Sequence, residues 1–498
     1  MRLRQLLDPG VVVEGRDNAD PQIRALTADS RNVDTGTLFA ALAGARTDGR
    51  RYIHEALKKG AAAILADPTM QGRDLGIPLI LDPEPRRRLA LIASRFFQQQ
   101  PTHTVAVTGT NGKTSVVSFV RQLWQAIGLK AASLGTLGLE ASGLSGKAGL
   151  TTPDPVGLHR LLSELAETGT QHLALEASSH GLDQHRLDGV MLKAAAFTNL
   201  SRDHLDYHGS FEAYFAAKAR LFEEILPDGG KAVLNADIPE FGQLSSICRK
   251  RGLEVIAYGR EGDDIKLLER RAHADGQDLA ILVRGETHLV KSPLVGGFQV
   301  SNLLATLGLV LATTDEYKTD QLVAALGNLE GVRGRLQSVD GSPRGLSVFV
   351  DYAHTPDALA HVLDALRPHT EGALMVVFGC GGDRDPGKRP AMGRIAAERA
   401  DKVFVTDDNP RSEDAALIRR AVLEACPDGV EVGDRREAIH LAVRKLGVGD
   451  ILVVAGKGHE TGQIVGDKVL PFDDVAVVKA ALPPSGKISS NSRALAAK

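Results

Sequence analysis

The stretch VTGTNGKTS, residues 107 to 115, sets two glycines, a lysine and four hydroxyl residues at the end of an apolar run. Gly109 and Gly112 allow backbone amides to close around a phosphate at a helix N-terminus. Lys113 brings charge to the phosphate oxygens, and the Thr114 hydroxyl can ligate magnesium. The stretch departs from the general G-x-x-x-x-G-K-[ST] phosphate loop, because Val107 stands five before Gly112. Glu176 ends the apolar run LALE, a position from which a carboxylate can share that metal with Thr114; an ordinary strand-end carboxylate is the plainer alternative.

Lys218 poses a different question. In SFEAYFAAKARLFEEIL it falls on an apolar stripe of Phe211, Tyr214, Phe215, Leu221, Phe222 and Ile225 at helical spacing. Burial disfavours the ammonium form, and a neutral amine can combine with carbon dioxide into a carbamate that behaves as a carboxylate. The alternatives are a lysine that snorkels out of the stripe or one paired with an acid. His204 and His208, in SRDHLDYH, stand four apart. Either can share a metal with such a carbamate, or serve as a plain hydrogen-bonding residue.

A third cluster is FVTDDNPRSED, residues 404 to 414, where an apolar run ends in acids, an asparagine, a proline and an arginine. Asn409 before Pro410 is biased to extended backbone. Ser412 with Glu413 and Asp414 reads as the cap and acidic first turn of the helix AALIRRAVLEA. Arg411 is then fixed between a rigid proline and a helix start.

The elements that must hold these clusters recur along the chain. Short Val, Ile, Leu and Ala runs precede polar clusters in TVAVTGTNGKTS, HLALEASSHG, AAAFTNLSRDH, LSVFVDYAHTP, LMVVFGCGGDRD, VFVTDDNPR and ILVVAGKGHE. Continuous apolar runs suit parallel strands buried on both faces, whose ligands bind beyond the strand carboxyl ends. The fold class is therefore α/β. A chain of 498 residues exceeds what one core supports. QQQPTH, residues 98 to 103, and LEGVRGRLQ, 329 to 337, mark boundaries. Three domains are expected, over 1–98, 99–334 and 335–485, with a polar, disordered tail over 486–498.

Net charge of −3 and a pI near 6.6 give no global reason for nucleic-acid or membrane binding. Cys248, Cys380 and Cys426 are scattered without metal spacing, as expected of structural thiols in a reducing compartment. MRLRQLLDPG lacks the apolar core of a signal peptide, and no run reaches membrane-spanning length, so a cytoplasmic protein is expected.

Taken together, GTNGKT, LEASSHGL, TNLSRDHLDYH, AAKARLF, GGFQVSNLLA, GVRGRLQ and DYAHTPDAL resemble the ATP-dependent Mur ligases of peptidoglycan synthesis. TADSRNVDTGTLFAALAGARTDGR, 27 to 50, resembles that family's uridine-binding N-terminal domain. The family uses the shorter G-x-x-G-K-T loop, which accounts for Val107. The resemblance implies a smaller α/β N-terminal domain, a central P-loop domain with a parallel-rich sheet and a Rossmann-like C-terminal domain. It implies ATP and Mg2+, and ATP contacts from Gly109, Thr110, Asn111, Gly112, Lys113, Thr114, Ser115, Asn302, Arg335, Asp351 and His354. Read alone, Asn302 would be a helix-start cap, Arg335 a hinge ion pair, and Asp351 and His354 strand-end turn residues.

By the same resemblance Lys218 is an N6-carboxylysine that holds a second magnesium with His204, beside the metal of Thr114 and Glu176. Lys113, Lys218 and His204 become the catalytic residues. Ser30, Thr151, Thr152, Ser178, Gln184 and Arg186 would bind the UDP substrate; Thr151 and Thr152 can instead cap the helix beginning near Pro155.

Within the family, DNPR resembles the members that add meso-2,6-diaminopimelate to UDP-N-acetylmuramoyl-L-alanyl-D-glutamate. Arg411 would take the far carboxylate bidentately while Asp408 and Asn409 accept from the far ammonium, with Pro410, Arg384, Gly456 and Glu460 completing the subsite. A structural salt bridge is the alternative for Arg384 and Glu460. A lysine-adding or folylpolyglutamate-synthase-like ligase is the competing activity. Small-molecule substrates, no nucleic acid, no membrane insertion and a monomer are expected.

Overall fold

The computed structural model describes residues 1–15, 19–44, 47–141, 144–145, 149–314, 316–341 and 346–482. The expected tail over 486–498 lies outside the described residues. The chain divides into two compact units, Met1–Ile265 with Leu304–Leu322, and Lys266–Leu303 with Val323–Lys498. Both are α/β, as the apolar runs imply.

The first unit begins with a five-stranded sheet, ordered Val12–Glu14, Leu79–Leu81, Ala63–Ala66, Thr37–Ala40, Ala25–Thr27, and parallel except at its first strand. Helix Pro85–Phe97 closes one face by burying Leu89, Ile92 and Ala93 against Leu38, Leu65 and Ile80. A larger parallel set follows, ordered Glu254–Gly259, Lys231–Asn235, Leu192–Phe197, His103–Thr108, His172–Glu176 and Ala131–Gly135. Its inner strands are apolar on both faces because helices cover both, and their registers align the carboxyl ends. Glu176 pairs with Val107, and Phe197 with Thr108. The metal candidate and the phosphate loop therefore emerge along one sheet edge.

In the second unit a six-stranded sheet runs Gln337–Ser338, Ser347–Asp351, Ile451–Ala455, Leu374–Phe378, Lys402–Val405, Val430–Glu431, parallel apart from its first strand. Alternate residues face opposite cores. Val376 and Phe378 meet helices Pro356–Leu366, Lys388–Arg399 and Ala415–Leu423, whereas Met375 and Val377 meet Arg435–Arg444 and Asp474–Ala481. This double winding brings the polar ends of Ser347–Asp351, Lys402–Val405 and Ile451–Ala455 to one edge. Cys248, Cys380 and Cys426 are buried free thiols. No described helix is long and apolar enough to cross a membrane.

Candidate active site

The loop after His103–Thr108 is shaped by its backbone. Gly109 has φ +135°, and a Cβ there would run into Thr198 Oγ1, so only glycine fits. Thr110 N donates to Asn199 O at 2.8 Å, Asn111 N to Asn199 Oδ1 at 2.9 Å, and Thr198 Oγ1 to Asn111 O at 2.6 Å. Gly112, at φ +89°, starts helix Lys113–Ala126, with Thr114 and Ser115 buried in the first turn. Lys113 Nζ folds back to donate to Gly109 O at 2.9 Å and Thr110 O at 2.7 Å.

Glu176 is buried at its strand end, and Gly135 leaves it room, since a Cβ on Gly135 would overlap the carboxylate. Its Oε1 accepts from Thr136 N at 2.8 Å and its Oε2 from the Thr136 hydroxyl at 3.2 Å. Two carboxylate oxygens have lone pairs beyond these bonds. With the Thr114 hydroxyl they make a hard oxygen donor set that fits magnesium.

Lys218 is 1% exposed on helix Phe211–Arg220, which Ser210 caps by accepting from Ala213 N. Its Nζ donates to Gly109 O at 2.7 Å and lies 4.5 Å from the Tyr214 ring centre. Burial holds this amine well below the ordinary lysine value, nearby Lys113 pushes it the same way, and Asp203 only partly opposes them. The snorkelling alternative fails. One end of the expected stripe is corrected: Phe211 is 37% exposed, and the helix passes into a π turn over Leu221–Ile225, which changes the spacing beyond Arg220.

His204, at φ +52°, starts the short helix Leu205–His208, with Nε2 3.4 Å from Asp203 Oδ2. It meets the ring of His180, centroids 4.9 Å apart, and His180 also contacts Tyr207 and His208 at 4.0 and 5.6 Å. His208 in turn contacts Tyr214 at 5.3 Å. His180 was not singled out by the sequence, although it closes the SSH of LEASSHGL. Burial, with His204 and His208 nearby, holds its imidazole below the usual range.

Five of the expected UDP-substrate residues belong to one network beside Glu176. Thr152 Oγ1 donates to Glu176 O at 2.8 Å and lies 3.0 Å from Ser178 Oγ. Arg186 donates to Thr152 O and Gln184 Oε1, each at 2.7 Å, and Thr151 Oγ1 lies 3.2 Å from Thr136 Oγ1. The capping alternative for Thr151 and Thr152 is corrected: Asp154 caps Pro155–Glu167 by accepting from Val156 N and Gly157 N. Ser30 stands apart, in the turn Ser30–Asn32, where its carbonyl accepts from Lys59 Nζ at 2.9 Å.

In the second unit the DNPR segment is a scaffolded loop. Asn409 is buried; its Oδ1 accepts from Lys457 Nζ at 2.8 Å and Ile464 N at 2.9 Å, and its Nδ2 donates to Glu460 Oε2 at 3.0 Å. The expectation that Asn409 offers a free acceptor is thus corrected, because two donors already occupy that oxygen. Arg411 has φ +52° and is pinned by Ile464 O and Gly466 N through its own backbone. Its Nη1 donates to Gly382 O at 2.8 Å, while Nε and Nη2 make no hydrogen bond among the described residues. A Cβ on Gly381 would come 2.8 Å from Arg411 Nη1 and 3.8 Å from the stem of Arg384. Arg384 is exposed and has no ion pair among the described residues, which removes its structural-salt-bridge alternative.

Asp408 is buried with Oδ1 3.4 Å from Lys457 Nζ, and Gly456, at φ +117°, would bring a Cβ 3.2 Å from Asp408 Oδ2. The expected Ser412 cap is corrected: Asp414 caps Ala415–Leu423 by accepting from Ala416 N, because Asp383 captures the Ser412 hydroxyl at 2.6 Å.

Asp351 is fixed by Leu336 N at 2.7 Å and Ala353 N at 2.8 Å, and burial raises its carboxyl above the usual range. The Arg335 guanidinium lies 5.0 Å from the Tyr352 ring centre, and its Nε has no hydrogen-bond partner among the described residues. Tyr352 also contacts His354 and His459, at 4.5 and 5.0 Å. Burial, reinforced by Arg335 and Arg333, pushes His459 down to about 4. Asn302 is no cap: it lies inside helix Gly297–Leu311 and donates to Gln299 Oε1 at 2.9 Å.

Three family models match the sequence: the Mur ligase family catalytic domain over residues 22–96, the Mur ligase middle domain over 107–310, and the Mur ligase glutamate ligase domain over 334–458. A protein from Caulobacter vibrioides named UDP-N-acetylmuramoyl-L-alanyl-D-glutamate--2,6-diaminopimelate ligase is 53% identical over 469 residues, 93% of this chain and 96% of its own length. A protein of that name from Bradyrhizobium diazoefficiens is 50% identical over 97% of this chain and 99% of its own. A solved structure of a ligase so named matches with a TM-score of 0.71 at 35% identity, covering 92% of this chain and 94% of that one. With relatives alignable from end to end at half identity and three of its domain models laid in order along the sequence, the chain belongs to the Mur ligase family.

Proposed function

We propose that the chain adds meso-2,6-diaminopimelate to the D-glutamate γ-carboxylate of UDP-N-acetylmuramoyl-L-alanyl-D-glutamate, converting ATP to ADP and phosphate, in peptidoglycan synthesis. The observation that carries the choice of amino acid is Arg411, whose guanidinium is pinned to Gly382 O through Nη1 while Nε and Nη2 make no hydrogen bond among the described residues. The names of the relatives above support the same reading.

In the reaction, a carboxylate oxygen of the substrate attacks the γ-phosphorus of ATP, the bond to ADP breaks, and an acyl phosphate forms. An amine of diaminopimelate then attacks the acyl carbon. The tetrahedral adduct collapses, phosphate leaves and the amine gives up a proton. Such chemistry asks mainly for placement and charge neutralisation.

Residues 109–115 cradle the phosphates, and Lys113 exchanges its bonds to Gly109 O and Thr110 O for phosphoryl oxygens. Thr114 with Glu176, and His204 with a carbamylated Lys218, would hold magnesium, which would supply charge neutralisation at those oxygens. The low basicity of Lys218 supports the carbamate, since only the free amine combines with carbon dioxide. Asn302, Arg335, Asp351 and His354 are assigned to ATP, and Ser30, Thr151, Thr152, Ser178, Gln184 and Arg186 to the UDP substrate. Arg384, Asp408, Asn409, Pro410, Arg411, Gly456 and Glu460 are assigned to diaminopimelate, with Asn409 acting through its neighbours. The domains are taken as 1–98, 99–334 and 335–485, acting as a cytoplasmic monomer.

Phosphate release measured with the UDP-muramoyl dipeptide and either diaminopimelate or lysine tests the reading. Leaving Arg411 without its carboxylate partner should cost lysine about 10⁴ in kcat/KM. Equal turnover of lysine overturns it.

A further inference from the structure

Lys457, in GKGHE, has no role in the function proposed above, yet it is fully buried at the centre of the DNPR scaffold. Its Nζ donates to Asn409 Oδ1 at 2.8 Å and Gly462 O at 2.9 Å. It also lies 3.4 Å from Asp408 Oδ1 and 3.8 Å from Glu460 Oε2. Four oxygens face it. The lone pair of a neutral amine would be turned on one of them, so the group is an ammonium. The neighbouring Arg435 is neutralised by its own bidentate pair with Asp474.

Two consequences follow for whatever binds there. Lys457 and Ile464 N together orient the Asn409 amide, which leaves Nδ2 directed at Glu460 and so fixes that carboxylate. Charge is set as well: Asp408 and Glu460 carry two negative charges, Lys457 cancels one, and the net single charge matches one incoming ammonium. The same lysine ties the loop to the hairpin Gly462–Val465 and Lys468–Pro471, whose Ile464 carbonyl holds the Arg411 backbone.

We propose that Lys457 is a positioning residue for the far end of the diamino acid, holding Asn409 and Glu460 in place and tuning the acidic pair to accept a single ammonium. The proposal rests on the diaminopimelate reading.

The test measures KM and kcat for diaminopimelate, ATP and the UDP substrate in wild type, Lys457→Met and Lys457→Arg. Misplacing a binding group by about an ångström costs on the order of 10²-fold. Lys457→Met should raise KM for diaminopimelate by about that factor and leave the KM values for ATP and the UDP substrate within about twofold. Lys457→Arg, which keeps the charge but not the fit, should recover part of the loss. An unchanged KM for diaminopimelate, or an equal rise for all three substrates, overturns the proposal. If Lys457→Met gives no cooperative melt, Lys457→Arg decides alone: a KM rise confined to diaminopimelate supports the role, and an unchanged or uniform KM removes it. Failure of the wild type to use diaminopimelate would instead sink the functional reading.

Discussion

Two fully buried lysines, one in each unit, are treated in opposite ways. Among the described residues Lys218 has one carbonyl, Gly109 O, which it shares with Lys113, and no carboxylate in contact. Lys457 has two oxygens in hydrogen-bond range and two carboxylates close behind. Burial lowers both, but Lys113 adds to the effect at Lys218, whereas Asp408 and Glu460 resist it at Lys457. The first is prepared to become a reactive amine and the second to remain a fixed cation. Burial alone decides neither; the neighbours do.

Removing each lysine should therefore have different consequences. Lys218→Ala should lower kcat by about 10³, the usual loss for an electrostatic stabiliser of the transition state. Acetate or bicarbonate should restore part of it in a phosphate-release assay. Wild-type turnover in that variant would erase the contrast.

Stability should move in opposite directions. Lys457→Met strands Asp408 in a buried site and should cost about 3 kcal/mol in denaturant unfolding. Lys218→Met removes a buried amine that has no carboxylate partner among the described residues and should gain about 1 kcal/mol at neutral pH in carbon-dioxide-free buffer. Below the ordinary lysine value of 10.5 the unfolded chain holds a proton that folded Lys218 lacks. Wild-type stability should therefore rise with pH through the window below 10.5, and the Lys218→Met advantage should shrink there. A pH-independent gap would contradict the neutral-amine reading.

Arg411→Ala tests the second unit without touching either lysine. KM for diaminopimelate should rise about 10²-fold with KM for ATP unchanged, as expected when a charged partner is lost. Smallest of all, Asp414→Ala should cost about 1 kcal/mol in thermal unfolding, the worth of a helix cap. A larger effect on diaminopimelate binding than on stability would mean that the cap, rather than the Lys457 scaffold, aims Arg411.

What the sequence made legible divides along the same line. The phosphate loop could be read because its chemistry is local: Gly109, Gly112, Lys113 and Thr114 act within one turn. Lys218 could be read because its stripe is local too. Lys457 and His180 were missed because their partners come from distant segments, Asn409 and Asp408 in one case and His204 and His208 in the other. The helix cap went to Asp414 because Asp383, far back in the chain, takes the Ser412 hydroxyl. Local pattern found the fold class and the family. Contacts across the sheet edge determine which of their atoms are already spent.

The π turn over Leu221–Ile225 has a consequence for how the chain can change length. A π turn holds one residue more than an α ladder needs, so a deletion there can be absorbed as the ladder closes. A deletion within Phe211–Arg220 cannot: it would swing Lys218 about 100° around the helix and away from Gly109. Among descendants of this sequence, gaps should be tolerated just after the lysine and purged just before it.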